Sequence, residues 1–123
     1  MAAQLDQQAP PADSEHLDIA HLRKQAMGDE ALMREVLGLY VSHARDCLAA
    51  LEQANAARPW REAAHALKGT ARNIGAFQVG RAAEEAERLT GDAPADQRAN
   101  AIDRLRALCV LAEEQAAKFA AVI

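Results

Sequence analysis

Aromatic side chains are nearly missing from this sequence: one Trp, one Tyr and two Phe stand among 123 residues, 3% in all. Sheets draw much of their packing from aromatic and β-branched residues, so this scarcity argues against a β-sandwich or barrel. Cysteine is equally thin. Cys47 and Cys109 are the only two, neither in a C-x-x-C pair, which argues against a disulfide scaffold or a cysteine-built zinc site and for two buried free thiols. No apolar run approaches the roughly 20 residues that span a bilayer, and the opening residues lack the basic-then-apolar order of a signal peptide, so a cytoplasmic location is expected. Basic charge is also short. With 14 Lys and Arg against 18 Asp and Glu the net charge is −4, and the overall field exerts no pull towards nucleic acid or an anionic membrane. A chain of 123 residues makes one domain of ordinary size, without room for a nucleotide-binding domain beside it. Any phosphoryl group carried here is expected to come from a partner.

What the sequence does have is alanine, spread through apolar patterns of helical period, and the fold class expected is all-α: an antiparallel four-helix bundle with an additional short N-terminal helix. Residues 1–14 are rich in Ala, Gln and Pro without periodicity, and Pro10-Pro11 breaks any helix there, so a disordered leader is expected, followed by the helical domain over 15–123. Leu17, Ile19, Leu22 and Met27 mark a short first helix, with Asp18 as N-cap and Gly28 as stop. Asp29 caps the next and longest helix, in which Leu32, Val36, Leu39, Val41, Ala44, Cys47, Leu48 and Leu51 recur at helical spacing to about Ala57. Pro59 sits in the first turn of a helix running through Trp60 to a stop at Gly75. A fourth helix is expected from about Ala76 to Thr90, closed by Gly91. Pro94 opens the last, with Ile102, Leu105, Leu108, Cys109 and Ala112 as its apolar stripe.

The helix from Trp60 to Ile74 carries the chemistry. At about 100° per residue, Trp60, Ala63, Ala64, Leu67, Ala71 and Ile74 fall within about 60° of Trp60 and form the core side. His65 lies about 140° from Trp60, Arg61 about 100°, Lys68 about 80°, Arg72 about 120° and Gly69 about 180°. His65 is thus expected in solvent, ringed by cations. A neutral imidazole is a good nucleophile near physiological pH, and phosphorylation would add an anionic group that Lys68 can balance. Glycine at position 69 costs about 1 kcal/mol in a helix interior, and room for a phosphoryl group and an incoming partner is a reason to accept it.

At these residues the chain resembles the histidine-containing phosphotransfer (HPt) domain family. The stretch Ala64-His65-Ala66-Leu67-Lys68-Gly69-Thr70-Ala71-Arg72-Asn73-Ile74-Gly75-Ala76 is close to the pattern H-x-L-K-G-[ST], a short spacer, then G-A. Helix order and lengths extend the likeness over about residues 15–122. The resemblance implies a phosphorelay intermediate, whose histidine takes a phosphoryl group from an aspartate of one receiver domain and passes it to another, in a domain with no ATP-dependent kinase activity. It implies His65 as phosphoacceptor, Lys68 as the group that steadies the phosphate, Gly69 as steric clearance, Thr70 at a Ser/Thr position, and Gly75-Ala76 as the turn into the next helix. The partners implied are receiver domains of a hybrid histidine kinase and of response regulators, with magnesium on the receiver and no cofactor on this chain. The family's next helix usually places an acidic or amide group near the imidazole. Here that helix carries Glu84, Glu85 and Glu87, and the sequence leaves open which of them faces His65.

Plainer readings stand beside these. Arg61 and Arg72 suit either a docking rim or a solvated face. His43 and Cys47 share an i, i+4 face, but two ligands make no zinc site, and His16, His21 and His43 read as surface or partly buried. Trp60 reads as a core anchor; Met27, Met33 and Phe77 read as packing. Two other functions fit parts of the pattern. A non-catalytic helical module could bind response regulators without phosphate transfer, although His65, Lys68 and Gly69 together argue against it. The phosphoacceptor domain of a sensor kinase usually has an acidic residue after the histidine, where Ala66 stands here. A monomer is expected, since no heptad seam extends beyond the core.

Overall fold

A computed structural model of the chain describes residues 16–89 and 93–123. Among them are five helices and no strand: α1 (Ile19–Gln25), α2 (Glu30–Gln53), α3 (Ala57–Ile74), α4 (Phe77–Glu87) and α5 (Ala95–Val122). Helices α2 to α5 close a ring, each packing on the next and α5 returning to α2, while short α1 lies against α3 and α2. The architecture is the all-α bundle with an extra N-terminal helix. The expected leader, and Gly91 as a helix stop, lie outside the described residues.

The helix ends follow local chemistry. Asp18 and Asp29 each accept a hydrogen bond from the backbone N–H three residues on, His21 at 3.0 Å and Leu32 at 3.1 Å, which satisfies donors that have no partner inside a helix. Pro59 stands in the first turn of α3, where a missing N–H leaves nothing unpaired. At the other end of α3, Gly75 is left-handed (φ 92°), with its N–H bonded to the Arg72 carbonyl at 3.4 Å and that of Ala76 to the Ala71 carbonyl at 2.9 Å. This is a Schellman stop. Glycine is required there twice over, because a Cβ would also lie 2.8 Å from the Asp18 carbonyl oxygen. The Asp18 N–H in turn bonds to the Gly75 carbonyl at 2.9 Å, tying the start of α1 to the end of α3.

Several sequence expectations are corrected. Helix α1 ends at Gln25, and Met27, expected to pack, is left-handed (φ 52°) and 88% exposed, because it and Gly28 form the reversal into α2. Helix α2 stops at Gln53 rather than near Ala57, and α5, with 28 residues against 24, is the longest. The buried face of α2 is Met33, Leu37, Tyr40, Ala44, Cys47 and Leu51. That alternating four-and-three spacing turns Leu39 outward and leaves Leu32, Val36, Val41 and Leu48 on the flanks. Helix α4 runs from Phe77 and ends at Glu87, short of the expected Thr90. Phe77 is partly exposed, edge-on to the His21 ring at 5.1 Å.

Across the α2–α5 seam Arg45 pairs with Glu113, Arg106 with Glu52, and Arg34 with the Ile123 carbonyl, so the two helices run antiparallel. Cys47 and Cys109 are buried free thiols. Burial pushes both thiols up, Cys109 to about 11, and raises the nearby Tyr40 phenol as well, so neither sulfur carries thiolate at neutral pH.

Candidate functional site

The wheel of α3 holds in three dimensions. Trp60, Ala63, Ala64, Leu67, Ala71 and Ile74 are its buried residues, and the His65 side chain is 69% exposed. Trp60 sets the register against α4. Its indole N–H, buried in the core, donates to the Ala86 carbonyl at 2.7 Å, which places the start of α3 beside the end of α4. The next residue, Glu87, thereby comes up against the middle of α3.

Glu87 is where three side chains meet. Its Oε2 accepts from His65 Nδ1 at 2.8 Å and its Oε1 from Lys68 Nζ at 2.7 Å. Lys68 and Glu87 are mostly covered, at 18% and 21% side-chain exposure. The Lys68 ammonium holds the Glu87 carboxyl below its ordinary value, with His65 adding to the effect against the opposing influence of burial. An ionised carboxylate can only accept, so Nδ1 carries the proton and Nε2 presents its lone pair outward. The arrangement orients a neutral imidazole as a nucleophile, with a carboxylate in place to balance the charge the ring gains on reaction.

The other two acids of α4 are committed elsewhere. Glu84 Oε1 accepts from Arg72 Nη2 at 3.1 Å, and Glu85 Oε1 from Arg104 Nη1 of α5 at 2.6 Å. The sequence alone does not single out Glu87 among the three, because their sorting depends on tertiary contacts. The Gly75-Ala76 turn folds α4 back along α3, but it does not by itself set which positions meet; the observed pairs are Glu84 with Arg72 and Glu87 with Lys68 and His65.

The remaining site residues separate by position. Gly69 is exposed, and a Cβ there would meet no atom within 4 Å, so the bundle itself makes no steric demand for glycine. Thr70 is partly buried beside it, in an open groove it shares with His21, His43, Arg72 and Asn73. Arg72 is held on α4 by Glu84, with its stem over Gly80, where a Cβ would lie 3.0 Å from the Arg72 Cγ. Arg61 lines a second open groove of about 370 Å³ with Arg58, Glu62, His65, Ala66 and Glu87. Gly75 and Ala76 form the turn described above. Among the described residues no three His, Cys, Asp or Glu are grouped to hold a metal ion, and no helix is long and apolar enough to cross a membrane.

Comparison with curated proteins and with solved structures finds no match. The family model of the Hpt domain matches residues 35–117, which takes in most of α2, all of α3 and α4, and most of α5. That span is well over half of the sequence and includes His65, Lys68 and Glu87, and on this ground the chain belongs to the Hpt domain family.

Proposed function

We propose that this Hpt domain is a phosphorelay intermediate in which His65 is the phosphoacceptor. Hpt domains serve histidine phosphotransfer in two-component signalling, and the observation that carries the finer reading is the His65 ring itself. It is exposed, it is oriented through Nδ1 by Glu87, and its Nε2 is open. In the forward step Nε2 attacks the phosphorus of a phospho-aspartate on a receiver domain. The P–N bond forms as the acyl P–O bond breaks, the aspartate leaves as carboxylate, and the ring keeps its Nδ1 proton and becomes cationic against Glu87. Magnesium and a lysine on the receiver supply most of the charge stabilisation. Lys68 compensates Glu87, so the carboxylate repels the arriving phosphoryl group less, and Gly69 leaves clearance for the receiver. Partners are the receiver domains of a hybrid kinase and of response regulators, met by a monomer in the cytoplasm.

Incubation with a labelled phospho-receiver is expected to move label onto the wild type and not onto His65→Gln. Equal labelling of both would overturn the assignment. Receiver binding that persists in His65→Ala, with no label moving to wild type, would support a binding module instead.

A further inference from the structure

The groove beside His65 contains a cation that the bundle does not use. Arg58 is bonded to Glu62 at 3.0 Å, Lys68 to Glu87 at 2.7 Å and Arg72 to Glu84 at 3.1 Å. Arg61 lines the groove with His65 and has no ion pair or hydrogen bond of its own among the described residues. Side chains on a helix lean towards its N-terminus, and the groove that His65 lines includes Arg61 and Glu62 but not Lys68 or Gly69. With Nδ1 on Glu87, a phosphoryl group on Nε2 extends into that groove and brings about −1.5 to −2 charges. The Lys68 ammonium is already bonded to Glu87, and sharing it with a phosphate would weaken its compensation of that carboxylate beside the phosphoryl oxygens. Arg61 has no such competitor, since Glu62 is held by Arg58, and a guanidinium offers paired donors to phosphate oxygens.

We propose that the Arg61 guanidinium is the principal cation on the phosphoryl group of phospho-His65, with Lys68 acting through Glu87. This inference rests on His65 being the phosphoacceptor. Arg61 makes no contact with the reacting nitrogen in the resting state and is exposed on α3, so its replacement leaves the bundle intact.

The test uses the full chain phosphorylated with phosphoramidate. The reagent's P–N bond breaks, ammonia leaves and a new P–N bond forms on the imidazole, with no receiver involved. Phosphorus NMR then follows the phosphoryl resonance that is absent from His65→Gln as pH is varied. A cation within about 4 Å favours the dianion, so the phosphoryl pKa is expected to rise by about half to one unit in Arg61→Gln, by less in Lys68→Gln, and to stay near wild type in Arg61→Lys. An unchanged titration in Arg61→Gln, or a larger shift in Lys68→Gln, overturns the Arg61 assignment while leaving His65 in place. If no resonance is lost in His65→Gln, the phosphoacceptor reading itself falls.

Discussion

Replacing Gly69 should move stability and phosphotransfer in opposite directions. The position is in the interior of α3, exposed, and a Cβ would find open space. Nothing in the bundle penalises a side chain, while glycine in a helix interior is less favourable than alanine by about 0.8–1 kcal/mol. Gly69→Ala is therefore expected to raise stability by nearly that amount, or by about 4 °C in Tm for a domain of this size. Gly69→Gln should keep much of the gain, since glutamine is also a good helix former. Its longer side chain, one turn beyond His65, obstructs the receiver, and transfer from a phospho-receiver is expected to fall at least about tenfold, equivalent to ~1.4 kcal/mol of lost productive docking. Gly38 in α2 is the control. A Cβ there also meets nothing within 4 Å, so Gly38→Ala should gain similar stability with unchanged transfer. Thermal melts by circular dichroism and single-turnover labelling measure the two quantities. A destabilised Gly69→Ala, or wild-type transfer in Gly69→Gln, would refute the view that this glycine serves the partner and not the fold.

Two further outcomes follow from neighbouring features. Glu87→Gln should lower stability at pH 7 by about 0.5–1 kcal/mol in urea unfolding. A carboxyl depressed in the folded state stabilises fully above its ordinary value, near 4.3, and loses that contribution as pH falls through its lower folded value, so the gap between the two proteins should close below about pH 4. Gly75→Ala combines left-handed strain with a 2.8 Å approach to the Asp18 carbonyl oxygen, and a loss of about 2 kcal/mol or more is expected in the same experiment. A smaller loss would mean that α1 moves aside at little cost.

The legible parts of this molecule were those written in single residues or in one helix period. Asp18, Asp29, Pro59 and Gly75 punctuate the chain through backbone chemistry that needs no partner, and the strong segregation of α3 predicted its buried and exposed faces residue by residue. In α2 apolar residues occupy more than half of the circumference, so the pattern alone admits several phases. The phase observed buries Tyr40 and Met33 and turns Leu39 to solvent. Met27 was misread because an apolar residue at helical spacing also suits a reversal when glycine follows. The partner of His65 was illegible for a different reason: three glutamates crowd α4, and their sorting onto Arg72, Arg104 and the His65–Lys68 pair depends on the Trp60 anchor and on the position of α5.

Alanines make up six of the eleven buried residues of the packed helices α3 and α4: Ala63, Ala64 and Ala71 on one, Ala82, Ala83 and Ala86 on the other. Methyl groups have no rotamers to adjust, so the distance between the two backbones translates directly into the distance between imidazole and carboxylate. Enlarging a single alanine there would pry the acid off the ring without altering any polar group. Relatives of this domain therefore have a means of retuning their reactive centre by changes in inert residues alone, at positions that a search confined to ionisable side chains would pass over.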